Sequence, residues 1–228
     1  MLLSLLVLAL AIPMSAAVIA AAGPPLDAHS VALEAKYVVA RCLALVALIA
    51  LAPLLLGLAA AVVCSSRGPV LFRQRRVGQG GEVFEMLKFR SMRVSEASGS
   101  AFVSAPGAAP GGVEGDDRRT PVGRFLRRTS LDELPQLWNV VRGDMCLVGP
   151  RPERPEHVAR FSADVAGYAA RHRVRVGLTG LAQVQGSRGA TCIATRAAMD
   201  NAYIDGWSLG LDVRILARTV GAVVRGAE

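Results

Sequence analysis

The stretch LDELPQLWNVVRGD at residues 131–144 continues into LVGPRPE at 147–153 and is the main guide to the fold. Its apolar side chains recur at three- and four-residue intervals, as they do on one face of an amphipathic helix. These side chains belong to Leu131, Leu134, Leu137, Trp138 and Val141. The pattern predicts a helix with one buried face, with the adjacent carboxylates Asp132 and Glu133 at its N-terminal end.

A purely structural role is the alternative for these two carboxylates. Ser130 followed three residues later by Glu133 has the form of a capping box, and acidic residues in a first turn interact favourably with the helix dipole. Pro135 argues against the box, because proline fits only among the first helical positions, whose N–H groups have no partner. The cap is therefore expected nearer Asp132, with both acids at the edge of the helix.

The composition is apolar and arginine-rich. Among the 228 residues, 52% are hydrophobic and the formal net charge is +8. Of the 26 basic residues only Lys36 and Lys88 are lysines, and arginine is suited to forked binding of phosphates. Anionic lipids, nucleic acid and phosphorylated small molecules are all admissible partners. The four cysteines have no metal-ligand or redox spacing, which favours apolar packing in a reducing compartment.

Two apolar segments precede the main body of the chain. Residues 1–22 contain no charge and are long enough for a transmembrane helix, with a cleaved signal peptide as the alternative. Residues 23–35 are predicted to be a linker. The second segment, 37–64, carries Arg41 and a central Pro53, so it either spans with a kink or enters and returns as a helix-break-helix. The arginines that follow favour a cytoplasmic main body under either topology.

Short elements surround the central helix in the prediction. Residues 66–81 and 82–92 indicate the two halves of a β-hairpin, in which alternation places Lys88 and Arg90 on one side, where we expect them to face a substrate. Residues 94–117, rich in Gly, Ala, Ser and Pro, predict a mobile surface loop. Residues 120–128 predict a basic amphipathic helix with Phe125 and Leu126 on its apolar side.

The C-terminal part is predicted as helices and one short strand. Helices are expected over 156–173, 196–204 and 209–224, and a loop with a short strand over 174–186. Asp200 with Tyr203, and Ser208 with Asp212, are polar groups on these helices, for which capping or surface polarity is as good an interpretation as function. The fold class is α+β: a mostly helical, membrane-associated domain with interfacial amphipathic helices.

Seven blocks of the sequence stand in the order found in one known family. They are GPV at 68–70, Arg75 with Gly78, KFRSM at 88–92, LDELPQLWNV at 131–140, VGPRPE at 148–153, GLTGLAQV at 177–184, and Asp200 with Tyr203 and Ile204. The chain, from about residue 36 to 225, resembles the bacterial sugar transferase family of monotopic polyprenyl-phosphate glycosyl-1-phosphate transferases. Seven ordered blocks are far more specific than any one of them.

The resemblance implies an enzyme of the cytoplasmic membrane. It would move a sugar-1-phosphate from a nucleotide diphosphate sugar, usually a UDP-sugar, to polyprenyl phosphate in the inner leaflet, releasing UMP. Asp132 looks like the nucleophile that attacks the sugar-bearing phosphorus, through a covalent intermediate, and Glu133 looks like the neighbouring acid that helps to hold Mg²⁺. Carboxylate nucleophiles and metal-assisted phosphoryl transfer agree with this interpretation.

Further residues are expected to bind substrate. Arg151, fixed between two prolines, is suited to a bidentate grip on phosphate, and Lys88 and Arg90 are expected to hold the other phosphate group. Arg75 and Gln183 are weaker candidates for substrate binding. For Arg73, Arg75 and Arg76, contact with lipid headgroups is an equally good interpretation. Asp144 either orders the turn after Arg142 or touches the ligand.

Family resemblance also bears on the membrane segment. At three positions, two of them in that segment, the residue differs from the one that is common in the family. The second apolar segment is similar to a re-entrant helix that enters and leaves on the cytoplasmic side. Ala52 stands where a serine is common before Pro53, Ala44 where an acid is common, and Val176 where a proline is common. Without that acid, Arg41 is expected to find a lipid phosphate or a backbone carbonyl.

Two other classes of function compete with this interpretation. A membrane-anchored nucleic-acid binder would account for the arginines, but they are scattered among the motifs with no series of stacking aromatics, so no nucleic-acid partner is expected. A catalytically inactive scaffold of a glycan assembly complex is the stronger rival, and retention of Asp132 and Glu133 argues against it. The sequence leaves the oligomeric state open, a homodimer included.

Overall fold

The structure is a computed structural model, and it describes residues 28–93, 118–186 and 192–224. The predicted transmembrane helix at 1–22 and the predicted loop at 94–117 lie outside these residues. The described chain is mostly helical and contains two small two-stranded sheets. The predicted mixture of helices with a little sheet is therefore confirmed.

A broken pair of helices begins the described chain. Helix α1 spans Ala28–Ala50 and helix α2 spans Ala52–Ser65, with a bend of 66° between them. Pro53 lies in the first turn of α2, where its missing N–H costs no intrahelical bond. The predicted break beside Pro53 is confirmed.

The start of α1 corrects one boundary. Residues 28–35 were predicted as part of a linker, but they are already helical. Alanine, leucine and glutamate dominate this part of the chain, and these are strong helix formers. Because of the proline pair at 24 and 25, the helix was predicted to begin later in the chain than it does.

The described helices differ in length and hydropathy, the two properties that decide whether a helix can cross a bilayer. No single helix among them is both long and apolar enough to cross, whereas α1 and α2 together meet the requirement as a bent pair. A bent pair of this kind is consistent with a broken span or with a re-entrant segment.

The predicted β-hairpin follows. Strand β1 (Leu71–Val77) pairs antiparallel with strand β2 (Val83–Phe89), in a register that runs from Leu71 opposite Phe89 to Val77 opposite Val83. A 3₁₀ turn over Gln79–Gly81 joins the strands. Gly80 and Gly81 have φ of 65° and 86°, values that glycine adopts without steric cost.

Helix α3 (Pro121–Arg128) is the predicted short basic helix. The hydroxyl of Thr120 accepts a hydrogen bond from the Gly123 N–H and caps its first turn. Leu126 is fully buried against α2 and β2, but Phe125 is 47% exposed. The 100° step between neighbouring helical residues turns Phe125 away from this core, and its place on an apolar side that faces a membrane surface stays a prediction.

The central stretch forms two elements where one helix was predicted. A 3₁₀ turn covers Leu131–Glu133, and helix α4 covers Gln136–Arg142 with Pro135 at its N-cap. Ser130 makes no capping bond, which excludes the capping box. The buried face of α4 includes Leu137, Val140 and Val141, but Trp138 is 49% exposed, so its assignment to that face is wrong.

Helix α4 packs along α1 through small side chains. Ala40 and Ala44 of α1 lie buried against Leu137 and Val140 in the main core. Arg41 donates from Nε to the carbonyl of Val141 at 2.9 Å. It thereby binds a carbonyl that the end of α4 leaves without an intrahelical partner, which is the backbone alternative predicted for Arg41.

The C-terminal part contains the short strand predicted within 174–186 and a second strand that was not predicted. Strand β3 (Cys146–Val148) pairs in parallel with strand β4 (Gly177–Thr179). The helix predicted over 156–173 divides into α5 (Pro155–Asp164) and a 3₁₀ helix (Tyr168–Arg173), because Gly167 has φ of 73°. Three helices complete the chain: α6 (Leu181–Val184), α7 (Ile193–Asp205) and α8 (Leu209–Val224).

Close packing at Gly123 generates a test of the fold. A Cβ atom there would lie 1.9 Å from the carbonyl oxygen of Ser91, and backbone cannot yield as a flexible side chain does. We expect Gly123→Ala to lower the free energy of unfolding by about 2 kcal/mol or more. The measurement is unfolding of the detergent-solubilised protein followed by circular dichroism.

Gly57 in α2 supplies the matched control. A Cβ at Gly57 would meet nothing within 4 Å, so Gly57→Ala should leave stability unchanged or raise it by up to about 1 kcal/mol. Equal stability of the two variants would contradict the packing of α3 against the end of β2.

Candidate active site

A single carboxylate oxygen lies between two cations. Glu133 Oε1 accepts hydrogen bonds from Lys88 Nζ at 2.7 Å and from Arg151 Nη2 at 2.9 Å. The Glu133 side chain is 20% exposed and that of Lys88 is 16% exposed. In such a poorly solvated place, charge-assisted hydrogen bonds are stronger than they are at the surface. This oxygen atom therefore joins three elements: strand β2, the 3₁₀ turn over Leu131–Glu133 and the loop after β3.

The charges of these groups depend on one another. Burial acts to raise the pKa of the Glu133 carboxyl, but Arg151 and Lys88 outweigh it and hold that pKa well below its usual range. The carboxylate in turn raises the pKa of the Arg151 guanidinium. Burial lowers the pKa of the Lys88 ammonium, and Glu133 opposes that effect. Glu133 is therefore an anion at neutral pH and the counter-ion of both cations.

Asp132 has a different environment from its neighbour. It is 8% exposed, and burial raises the pKa of its carboxyl to about 6, with Lys88 opposing the rise and Glu133 adding to it. Among the described residues, no hydrogen bond reaches its carboxylate; only the charges of Lys88, Glu133, Arg127 and Arg151 act on it. A carboxylate with free lone pairs beside several cations is suited to nucleophilic attack on phosphorus.

Local backbone geometry separates the two acids from helix α4. Ser130 has a left-handed backbone with φ of 55°, which is uncommon for a residue other than glycine. The chain turns there, forms the 3₁₀ turn that carries Asp132 and Glu133, and enters α4 only after Pro135. The acids thus precede the helix, and Glu133 faces Lys88 of β2.

Asn139 fixes β2, and with it Lys88, to helix α4. Its Oδ1 accepts from the Leu87 N–H at 3.0 Å, and its Nδ2 donates to the Glu85 carbonyl at 2.7 Å. The side-chain amide thus pairs with the free edge of β2 as a neighbouring strand would. Nδ2 also donates to Asp144 Oδ2 at 2.9 Å. Asn139 is fully buried, so these bonds have no competition from water.

Arg151 belongs to a loop whose backbone is held by both neighbouring sheets. The Gly177 N–H donates to the Pro150 carbonyl at 2.8 Å, and the Val77 N–H donates to the Glu153 carbonyl at 2.9 Å. The prolines at 150 and 152 restrict φ on either side of Arg151. The guanidinium is therefore presented to Glu133 from a constrained backbone.

Two predicted substrate-binding arginines lie elsewhere. Arg90 is 5% exposed, and its guanidinium donates to the carbonyls of Pro69, Val62 and Ser66 at the end of α2. It thus binds carbonyls that the helix end leaves open, and it is not brought to the acidic pair. Arg75 is exposed on β1, in register with Glu85, and is not brought there either.

Gln183 is placed in α6 and is buried. Its Nε2 donates to the Leu178 carbonyl at 3.2 Å, while its Oε1 has no hydrogen-bond partner in the part of the chain that the structure describes. No contact of those atoms joins it to Asp132 or Glu133. Of the predicted site residues, the structure brings together Asp132, Glu133, Lys88 and Arg151.

Asp132 and Glu133 offer carboxylate oxygens, the kind of donor that Mg²⁺ prefers. Across residues 28–93, 118–186 and 192–224, no three His, Cys, Asp or Glu side chains cluster as metal ligands. Mg²⁺ commonly uses only one or two carboxylates, completing its shell with water and substrate phosphates. The hydrogen bonds from Lys88 and Arg151 both use Glu133 Oε1, which leaves Oε2 and the Asp132 carboxylate as donors. The donor set fits a Mg²⁺ that is shared with a diphosphate.

Several polar residues have structural roles that the sequence left undecided. Asp144 accepts from Asn139 and pairs with Arg142, which favours its ordering role at the end of α4. Asp200 and Tyr203 are 2% exposed, so surface polarity is excluded for both. Tyr203 donates to Asp212 at 2.7 Å and accepts from Lys36 at 2.6 Å, which joins α1, α7 and α8. Residue spacing does not predict buried pairs of this kind, because their members lie far apart in the sequence.

Comparison with known proteins gives one consistent match. A family model described as bacterial sugar transferase matches residues 31–226. A UDP-glucose:undecaprenyl-phosphate glucose-1-phosphate transferase of Caulobacter vibrioides is 50% identical over 177 residues, which are 76% of this chain and 63% of that protein. A protein of the same name from Xanthomonas campestris is 45% identical over 194 residues, 83% of this chain and 39% of that protein.

Relatives differ in the sugar that their names specify. A UDP-N-acetylgalactosamine-undecaprenyl-phosphate N-acetylgalactosaminephosphotransferase of Aeromonas hydrophila is 40% identical over 186 residues, 80% of this chain and 42% of that protein. The chain thus spans less than two thirds of the length of each of these three relatives.

Burial of Asp132 generates a prediction about pH. In protein free of divalent cations, we expect the Asp132 carboxyl to titrate near pH 6, because burial favours its neutral form. Its ordinary value is 3.8, so the folded state binds this proton more tightly than the unfolded chain does. This group therefore lowers the free energy of unfolding as pH rises from about 4 to about 6.

Carbon-13 NMR of aspartate-labelled protein measures the titration directly. Asp132→Asn identifies the resonance and should remove this part of the pH dependence of stability. A midpoint near pH 4 for Asp132 would show that water reaches the carboxylate freely and would contradict its burial.

Proposed function

Because the chain belongs to the bacterial sugar transferase family, we propose that it transfers a sugar-1-phosphate from a nucleotide diphosphate sugar to polyprenyl phosphate. The names of its relatives support a UDP-sugar as donor and undecaprenyl phosphate as acceptor. The observation that carries the proposal is the pair of adjacent acids with opposite environments. Glu133 is tied to two cations, while Asp132 has no hydrogen bond from the described residues.

The reaction proceeds by two displacements at the sugar-bearing phosphorus. An Asp132 carboxylate oxygen attacks that phosphorus, and the bond to the bridging oxygen breaks, so that UMP leaves with the electron pair. A phosphate oxygen of the polyprenyl acceptor then attacks the same phosphorus, and the bond to Asp132 breaks. The carboxylate is thereby restored, and polyprenyl diphosphate sugar is the product. Two steps suit a water-soluble donor and a lipid acceptor that arrive separately.

Lys88 and Arg151 supply positive charge beside the reacting phosphorus. In the free protein both bind Glu133 Oε1, so their positions are set before the donor arrives. Cations fixed in advance stabilise the charge that develops on phosphoryl oxygens without reorganising during the reaction. Glu133 keeps the two cations together and keeps Asp132 the more basic of the two acids.

Asp132 and Glu133 would together hold Mg²⁺ with the donor diphosphate. A bound Mg²⁺ supplies neutralisation of the diphosphate charge, which favours departure of UMP. Glu133 Oε2 and the Asp132 carboxylate are the donors left by the hydrogen bonds of the described residues.

We assign the protein to the bacterial cytoplasmic membrane, with the acidic pair on the cytoplasmic face. The bent pair α1–α2 supports a re-entrant segment that enters and leaves on the same side. Arg90 binds the carbonyls at the end of α2 and so joins the chain that leaves the helix pair to the end of β2. Arginines at 67, 73, 75 and 76 follow directly, as the positive-inside rule expects for cytoplasmic chain.

Nucleotide release tests the reaction. Detergent-solubilised protein with Mg²⁺, undecaprenyl phosphate and UDP-glucose, UDP-galactose or UDP-N-acetylgalactosamine should release UMP with one of the donors. Asp132→Asn should lower the rate by about 10³-fold or more, as removal of a nucleophile does. Glu133→Gln should also be strongly impaired, because it leaves Lys88 and Arg151 without their shared anion.

Asp164→Asn is the matched control, since this carboxylate is 60% exposed on α5, and it should retain the full rate. Unchanged turnover in Asp132→Asn would overturn the proposed nucleophile. Absence of turnover with every nucleotide sugar in folded wild-type protein would favour the inactive scaffold.

Cysteine labelling tests the re-entrant topology. In a variant without its four native cysteines, Ser30→Cys near the start of α1 and Arg67→Cys after α2 should both resist an impermeant maleimide on whole cells. Both should react after the membrane is permeabilised, as should the control Asp205→Cys on α7. Labelling of Ser30→Cys on intact cells would indicate a spanning pair and overturn the re-entrant topology.

A further inference from the structure

The backbone around Arg151 is held through four consecutive carbonyl groups. Four consecutive carbonyls, those of residues 150–153, each accept a hydrogen bond from a donor outside the loop. The donors, in order, are the Gly177 N–H at 2.8 Å, Arg171 Nη2 at 2.9 Å, Arg76 Nη1 at 2.9 Å and the Val77 N–H at 2.9 Å. Two of them are backbone groups of strands β1 and β4, and two are arginine side chains.

Arg171 is the donor to the Arg151 carbonyl itself. It is 1% exposed, and all three of its guanidinium nitrogens are engaged. Nε and Nη2 donate to Asp200 Oδ2 at 3.1 and 2.5 Å, and Nη1 donates to the Tyr168 hydroxyl at 3.0 Å. Nη2 also donates to the Arg151 carbonyl. The planar fork thus connects α7 and the 3₁₀ helix to the loop.

Fold stability alone does not account for this buried pair. Placing two charges where water cannot reach them is costly, and apolar side chains of similar size often stabilise a protein at least as well. A guanidinium does offer what neither lysine nor an apolar residue offers, which is several donors in a rigid plane. Here the plane is fixed by Asp200 and Tyr168, and Nη2 also reaches the Arg151 carbonyl.

We propose that Arg171 is a positioning residue for Arg151. It acts by fixing the Arg151 backbone, so that the Arg151 side chain meets Glu133 and, on the proposed function, the donor phosphate. The contact between Arg151 Nη2 and Glu133 Oε1 at 2.9 Å is the end of this chain of interactions. Asp200 is the anchor of the chain and does not touch the acidic pair.

A double-mutant cycle distinguishes positioning from general stabilisation. Arg171→Lys keeps the charge but loses the fork, so the shorter ammonium side chain cannot hold both Asp200 and the loop. We expect it to lower kcat/KM for the nucleotide sugar by roughly 10- to 100-fold, since a small misplacement of a catalytic group has effects of this size. In Arg151→Ala the second substitution should add less than about threefold, because its effect passes through the missing side chain.

Hydrogen exchange gives a readout that is independent of turnover. The Gly177 and Val77 amides donate to the loop, and we expect both, with the peptide covering 151–154, to exchange faster in Arg171→Lys. Asp205→Asn is the matched control, because Asp205 lies on the same helix and pairs with Arg173 at an exposed site. It should alter neither exchange in the loop nor kcat/KM.

Each outcome decides between the alternatives. Multiplicative losses in the double variant, or unchanged exchange in the loop, would overturn the positioning role. If Arg171→Lys does not fold, Asp200→Asn removes the anchor alone and takes its place in the same cycle. If the wild type turns over no nucleotide sugar, the proposed function fails, while exchange in the loop still decides whether Arg171 holds the Arg151 backbone.

Discussion

Sharing of Glu133 Oε1 by Lys88 and Arg151 is the interaction on which the site depends. Two cations cannot be held together in a poorly solvated place without an anion between them, since their repulsion is not screened by water. Glu133 supplies that anion and remains charged because both cations lower the pKa of its carboxyl. Asp132, one residue earlier, is left with a raised pKa and no hydrogen bond from the described residues. Adjacent residues thus acquire different roles from their environments, as in other paired-carboxylate sites.

Helix α4 organises the elements that bring these charges together. Its N-terminal side carries the acidic turn, the Asn139 amide binds the free edge of β2, and its C-terminal carbonyls bind Arg41 of α1. The bent helix pair, the hairpin and the acids are therefore attached to one short helix. A change in the position of α4 is expected to displace Lys88, because Asn139 of α4 is hydrogen-bonded to the edge of the strand that carries Lys88.

Residue type and spacing in the sequence indicated the acidic pair, the hairpin, the break beside Pro53 and the last helix. Arg90 shows where such reasoning ends, because strand alternation gives the side on which a residue lies but not the group opposite it. In the fold, that group is the open end of α2. Strand β3, which was not predicted, has only three residues, too few for a periodic signal. The Arg171–Asp200 pair joins residues 29 positions apart, and no local pattern predicts it.

If Asp132 carries the sugar phosphate during transfer, as proposed, the covalent species can be trapped on the protein. Protein incubated with Mg²⁺ and its UDP-sugar, without polyprenyl phosphate, would be quenched in acid and examined by intact-mass and peptide mass spectrometry. We expect a mass gain of one sugar phosphate on the peptide containing Asp132, absent in Asp132→Asn and discharged when polyprenyl phosphate is added. Release of UMP with no such gain, or with the gain on another residue, would contradict this role of Asp132.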